Sequence, residues 1–305
     1  MSTRSTHACS KGFSVVELLV ALTVTSIIAG AVMTLAFSSR DVFETDKHRT
    51  TINQNLRSGI DLLGIDVRQA GERLPGDAPA IEIIDGASGA PDTLILRRNL
   101  LNEVLPVCKD INAGSSADSI FVARKNPSGV FPPGCSPVGD ADGDGWPDNL
   151  EAWRRYRIEH GGNVMAYVHN PTTQVGEFFF YDAEDASTFH IHKYNGDSWL
   201  YDYDVADNAR VYILEQRRFF VEEDVLKCVI NEDLANTLNF VSHIRDFQCN
   251  AVFQDGTIQA SMIPADGWSN LESIEVMLVG ESSWKNRTMN RTLETRFFPR
   301  NVLSN

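Results

Sequence analysis

The pattern of apolar and polar positions changes three times along the chain, and each change marks an element. Residues 13–37 read FSVVELLVALTVTSIIAGAVMTLAF, apolar on every side of a helix, with Glu17 as the only charge. The 20 uncharged residues after Glu17 are enough, at the rise of a helix, to cross a hydrocarbon core of about 30 Å. Beyond Phe37 the apolar positions thin to a stripe. Ile52, Leu56, Ile60, Leu63, Val67 and Ala70 recur at spacings of three and four, one face of a helix. Gly71 then offers a C-cap and Pro75 forbids continuation, so one helix is predicted over about 14–70, its second half lying on a sheet.

After the helix the period shortens. β-rich runs at 93–97, 119–123, 164–169, 177–181, 189–194, 210–215, 218–222, 244–253, 274–280 and 293–298 are divided by turn formers such as Asn126-Pro127 and Asn195-Gly196-Asp197. No helix-length crossover joins these runs. The pattern therefore predicts an α+β fold: a long N-terminal helix, membrane-spanning over about 17–37 and then amphipathic, packed on an antiparallel β-sheet domain over 72–305.

Composition (43% apolar, 22% charged) is that of a globular chain. Its 41 acidic against 27 basic side chains leave a net charge of −14, with no run of Lys and Arg of the kind phosphate binding needs, which argues against a nucleic-acid partner. Arg4 and Lys11 precede the apolar span, and Asp41, Glu44 and Asp46 follow it, so the N-terminus is expected in the cytoplasm and the rest outside it. A secretory signal would be shorter and end in a small-residue cleavage site, and no A-x-A-like site follows Phe37. Glu17 is costly near the start of an apolar helix unless a cation meets it, so it asks for a function.

Lys11-Gly12-Phe13-Ser14, Glu17 and the apolar run together resemble the class III signal of type IV prepilins. The resemblance implies that a prepilin peptidase removes the leader, residues 1–12, by cutting after Gly12, and that Phe13 becomes the methylated N-terminus. It also implies that Glu17 neutralises an N-terminal amine during assembly with other pilins or pseudopilins through the helix, at the bacterial inner membrane. NQNLR (53–57) and DVRQAG (66–71), then IRDFQ (244–248), IEVML (274–278) and TRFFPRN (295–301), resemble PilW-type minor pilins. The pilin-like fold and a role in pilus initiation, assembly or tip structure are the expectations that follow, with the C-terminal domain carried outside the cytoplasm to the pilus. A J-type pseudopilin of type II secretion is similar in signal and helix, and an adhesin anchored by a pilin helix and dependent on calcium is a further alternative. No G-x-S-x-G, H-E-x-x-H, P-loop or G-x-G-x-x-G occurs, and no enzymatic activity is expected.

Residues 99–175 do not share that resemblance and read as an insertion. They contain Asp140-Ala-Asp142-Gly-Asp144-Gly145-Trp146-Pro-Asp148-Asn-Leu-Glu151. On the template of the twelve-residue calcium loop, acids fall at positions one, three, five, nine and twelve, with glycine at six. Calcium takes six to eight oxygens, so closely spaced carboxylates on a tight loop suit it. Asp140, Asp142, Asp144, Asp148, the carbonyl of Trp146 and both oxygens of Glu151 are the expected ligands of Ca2+, with a short exiting helix over 149–157. Pro147 stands where paired loops carry a β-branched residue, so the loop is more similar to the unpaired ones of dockerins or thrombospondin repeats.

Cys9 falls in the leader, which leaves Cys108, Cys135, Cys228 and Cys249. Four cysteines beyond an oxidising membrane face suggest disulfides and permit three pairings; nearness favours Cys108–Cys135 and Cys228–Cys249. His190 and His192 share a strand face but have no accompanying metal motif, and are read as ordinary strand positions. Trp268 and Trp284 fit either core or interface.

Overall fold

The computed structural model describes residues 14–284 and 287–304. Helix α1 runs Val15–Gln69, as the continuous pattern predicted. The chain divides into two compact units, residues 1–51 with 282–289 and residues 52–281 with 290–305.

In the first unit α1 carries its apolar side chains outward: Ile27, Leu35 and Phe37 are among a run of exposed large residues from Val15 to Phe43. Its hydroxyls are satisfied without outside help. Thr23, Thr25, Ser26 and Thr34 donate to backbone carbonyls three or four residues back at 2.7–2.9 Å, the local bond that helical hydroxyls make. Near the end of this unit His48 Nδ1 lies 2.8 Å from Ser282 Oγ, and its ring lies 5.6 Å from that of Trp284.

Among the described residues, the second unit holds fifteen strands and a second helix. In chain order these begin with β1 (Ile81–Ile84), β2 (Thr93–Asn99), β3 (Leu105–Pro106) and β4 (Ser119–Phe121), followed by α2 (Asp148–Glu159). Next come β5 (Val164–Asn170), β6 (Val175–Asp185), β7 (His190–Lys193), β8 (Arg210–Tyr212) and β9 (Leu214–Glu222). The last are β10 (Val225–Ile230), β11 (Leu238–Ser242), β12 (Ile244–Phe253), β13 (Ile258–Gln259), β14 (Leu271–Trp284) and β15 (Arg287–Phe297), the final two extending into the first unit. They form three sheets, ordered β1-β2-β9-β10-β11, β13-β12-β14-β15 and β3-β8-β5-β6-β7-β4.

β2 and β9 pair directly, Leu94 opposite Phe219, yet more than a hundred residues separate them in sequence. Everything between them builds the six-stranded sheet. Where an insertion over about 99–175 was expected, its strands extend from Leu105 to Tyr212. The predicted run 210–215 is split because the chain leaves one sheet and enters the other there, with Ile213 buried between them. α2 lays Leu150 and Trp153 into this sheet's own core, Trp153 meeting Tyr181 edge-on at 5.6 Å. Arg157 of α2 grips Glu184 of β6 through two hydrogen bonds, 2.7 and 2.8 Å long.

The buried stripe of α1 is Ile52, Leu56, Leu63 and Val67, joined by Gly59 and Gly64. Both glycines permit close packing. A Cβ on Gly59 would stand 3.0 Å from Leu278 of β14, and one on Gly64 would stand 2.4 Å from the Phe297 ring of β15. Asp66, nearly buried on the same face, accepts a 2.9 Å bond from Arg217 of β9, and burial raises its carboxyl above the usual range in spite of the guanidinium. Beyond the helix Gly71 turns at φ +75° and donates its N–H to the Arg97 carbonyl at 2.9 Å, and Asn301 donates to the carbonyl of Ala70 at 2.9 Å.

Candidate functional site

The acidic loop begins at a left-handed Gly139 and is stitched by its own backbone. Asp140 accepts the N–H of Gly145 at 3.2 Å, Asp142 that of Asp144 at 3.3 Å, and Asp144 that of Trp146 at 2.8 Å. These bonds leave one oxygen each of Asp140, Asp142 and Asp144 within 4.8 Å of one another, all three residues exposed. Asp148 and Glu151 have other occupations. Asp148 opens α2 and accepts the N–H of Ala141 at 3.0 Å, and Glu151 pairs with Arg155 one turn along α2 at 3.0 Å. Trp146 is half-buried with the Arg154 guanidinium 4.7 Å above its ring. Three of the five expected carboxylates are thus brought together, and the other two are held by groups of the protein. Arg155 was legible as the i,i+4 partner of Glu151, a spacing that competes with any metal.

Cys108 and Cys135 form the expected disulfide, closing the segment just before the acidic loop. The pairing of Cys228 with Cys249 is corrected: both are free and buried. They stand on β10 and β12, strands of different sheets, so nearness along the chain did not bring them face to face. Burial pushes the Cys228 thiol up to about 12 and the Cys249 thiol well above its ordinary value, which leaves both protonated and inert at neutral pH. His192 has both ring nitrogens occupied, by Asp182 at 2.6 Å and Asp118 at 3.3 Å, whereas His190 meets Thr188 at 2.6 Å. The hydrogen bond to Asp182 raises the pKa of His192 above its ordinary value. The two histidines share no ligand geometry.

The remaining site is the start of α1. Gly12 and Phe13 lie outside the described residues. Ser14 is the N-cap: its hydroxyl accepts the N–H of Val16 at 3.3 Å, and its own N–H donates to Glu17 Oε2 at 3.0 Å. This is a reciprocal Ser-x-x-Glu cap, visible in the sequence but overlooked there, and it gives Glu17 a partner within its own chain. Beyond it the helix is long and apolar enough to cross a membrane, and the most apolar stretch is wholly uncovered.

The chain carries a prokaryotic N-terminal methylation motif. The match covers residues 8–33, which takes in Gly12, Phe13, the Ser14–Glu17 cap and most of the apolar stretch. With α1 this is the N-terminal organisation of a type IV prepilin-like protein. The methylation motif implies processing by a prepilin peptidase and assembly with other pilins in a membrane, and with the uncovered helix it suggests membrane anchoring. No curated protein and no solved structure matches the chain.

Proposed function

We propose that this chain is a minor pilin of a type IV pilus, acting in pilus initiation, assembly or tip structure, with a loop stabilised by calcium. One observation carries the reading: the methylation motif runs without a break into a helix whose first half is bare and apolar and whose second half is built into the core of a β domain. Such a chain has a covalently processed end to insert among like helices and a folded head to display. The role is structural rather than catalytic. A J-type pseudopilin shares the same helix, and genomic neighbours separate the two: a retraction ATPase and other minor pilins, or secretion genes alone.

Glu17 supplies the test. Glu17→Gln retains an oxygen for the Ser14 N–H but removes the charge, whereas Glu17→Val removes both. Both variants should still be cut to a mature chain beginning at methylated Phe13 by mass spectrometry. Both should join other pilins about a hundredfold less than wild type, the factor that corresponds to roughly 3 kcal/mol for leaving a buried amine unpaired. Wild-type co-purification of the glutamine variant would mean that Glu17 serves only as a helix cap.

For calcium, the chemistry of the donors fits: three convergent carboxylates at positions one, three and five suit a hard cation that accepts loose oxygen geometry. Asp140, Asp142 and Asp144 would hold it, and Glu151 would add its oxygens on releasing Arg155. The melting temperature should rise with calcium, by roughly 2.7 kcal/mol of stabilisation at a hundred times the Kd, and magnesium should do less. Asp140→Ala with Asp142→Ala should abolish the shift, and Arg155→Ala should tighten binding by freeing Glu151. Calorimetry without heat and melting without a shift at millimolar calcium would reduce the loop to an acidic turn.

A further inference from the structure

β6 sends Phe179 and Tyr181 into the core of the six-stranded sheet and, by the two-residue period of a strand, Phe178 and Phe180 to its opposite face. There they line a groove of about 950 Å³ together with Tyr194, Leu200 and Leu238. Phe180 and Tyr194 remain 46% exposed and Leu200 67% exposed, an apolar patch on the surface. The rim is acidic. Asp197 and Asp233 are exposed, whereas the lining Lys193 is buried, donating to the Asp197 carbonyl at 2.6 Å with its ammonium 4.0 Å over Trp199. Asn195, Asn231 and Glu232 hold the rim in left-handed backbone (φ +59°, +50° and +60°), strain that persists only where the surroundings impose it.

The same chain presents the complementary shape. After β4, Asn126 closes a tight turn: its N–H donates to the Val130 carbonyl at 2.8 Å, and its side-chain oxygen accepts the N–H groups of Ser128 and Val130, each at 3.0 Å. The Cys108–Cys135 disulfide fixes the base of this knob. Val130 is 60% exposed, and Arg124 and Lys125 beside it lie over the rings of Phe121 and Phe131 with no carboxylate within 4 Å among the described residues. Knob and groove sit at opposite ends of β7, because Phe121 pairs with His190 at its start and the groove lining includes Lys193 at its end.

We propose that the groove of one copy receives the 124–131 turn of a second copy, Val130 packing between Phe180 and Leu238 while Arg124 and Lys125 meet Asp197 and Asp233. Phe178, Phe180, Leu200 and Leu238 give an apolar side chain a surface to bury against. A chain of net charge −14 repels its copies in general, so an attractive contact needs local opposite charge, which this turn supplies. Groove and knob are different surfaces, so the contact is head-to-tail and can propagate. One turn in one groove is small, and it acts between copies already held close. That closeness is what α1 supplies in the pilin-like reading, on which the inference rests.

The test uses the full chain in detergent micelles. With Cys9 replaced by serine in both copies, a Val130→Cys copy mixed with a Leu238→Cys copy should form a disulfide-linked dimer on mild oxidation, the free thiols among the described residues, Cys228 and Cys249, being buried. Val130→Cys alone should not. Arg124→Glu with Lys125→Glu in the first copy should cut the dimer at least tenfold, and Asp197→Lys with Asp233→Lys in the second should restore it. Raising the salt to 1 M, which alters no residue, should cut it likewise. The proposal is overturned by a 130–238 yield no higher than that of Ile158→Cys with Leu238→Cys, or by a dimer indifferent to both charge reversal and salt. Association through α1 is common to every arm and cannot imitate the charge rescue.

Discussion

Gly71→Val should destabilise the folded domain by about 3–5 kcal/mol, among the largest effects available to a single substitution here. Two costs combine. Gly71 sits at φ +75°, a conformation that costs an L-residue about 1–2 kcal/mol and a β-branched one more. A Cβ there would also stand 2.3 Å from Cη2 and 2.4 Å from Cζ3 of Trp268, whose indole is buried and has no room to step aside. Moving the corner instead would break the bond from the Gly71 N–H to Arg97, whose own side chain is tied to Gln216, Pro79 and Glu82. Urea unfolding of the full chain in mild detergent, followed by circular dichroism, measures the loss. Trp268→Leu removes the ring atoms in question, so in that background Gly71→Ala should cost only the backbone strain, about 1–2 kcal/mol. An unchanged urea midpoint for Gly71→Val would mean that the helix does not turn against Trp268.

Replacing Cys108 and Cys135 together by serine should cost about 3.5 kcal/mol on the loop-entropy model, for a bridge spanning 27 residues. The loss should be local. β2 and β9 pair with each other independently of what lies between them, so the insertion can loosen while the five-stranded sheet keeps its ladder. Hydrogen exchange should quicken first in β4, which is held at the sheet edge by three residue pairs with β7, and in the loop that ends at Cys135. Thiol titration provides the control: in the oxidised mature chain two thiols, Cys228 and Cys249, should react on unfolding and neither before it. Equal acceleration of exchange in β9 and β12 would show that the insertion and the helix-bearing sheets unfold as one.

α1 was legible almost to the residue, predicted over 14–70 and found at Val15–Gln69, because a helix is specified by neighbours three and four positions apart. The same locality made the second helix, the clustered carboxylates of Asp140, Asp142 and Asp144, and the Cys108–Cys135 bridge readable in one dimension. Short strands were another matter. β1, β3, β10, β11 and β13 escaped prediction because a strand of a few residues acquires its meaning only from the partner it pairs with, and β2 finds its partner β9 across the whole insertion. Sequence also held Ile60 to be part of the buried stripe, where packing buried Gly59 and Gly64 instead, since only a missing Cβ admits Leu278 and Phe297 so closely. Trp268 became core and Cys228 and Cys249 stayed apart for the same reason. Sequence by itself determined the processing signal, the helix and the acidic loop, whose interactions lie within a few turns of chain. Tertiary structure alone decided which thiols met, which carboxylates of the loop converged, and that a groove and a knob should stand at opposite ends of one strand. Those outcomes depend on sheet pairing between residues far apart, and no local period encodes it.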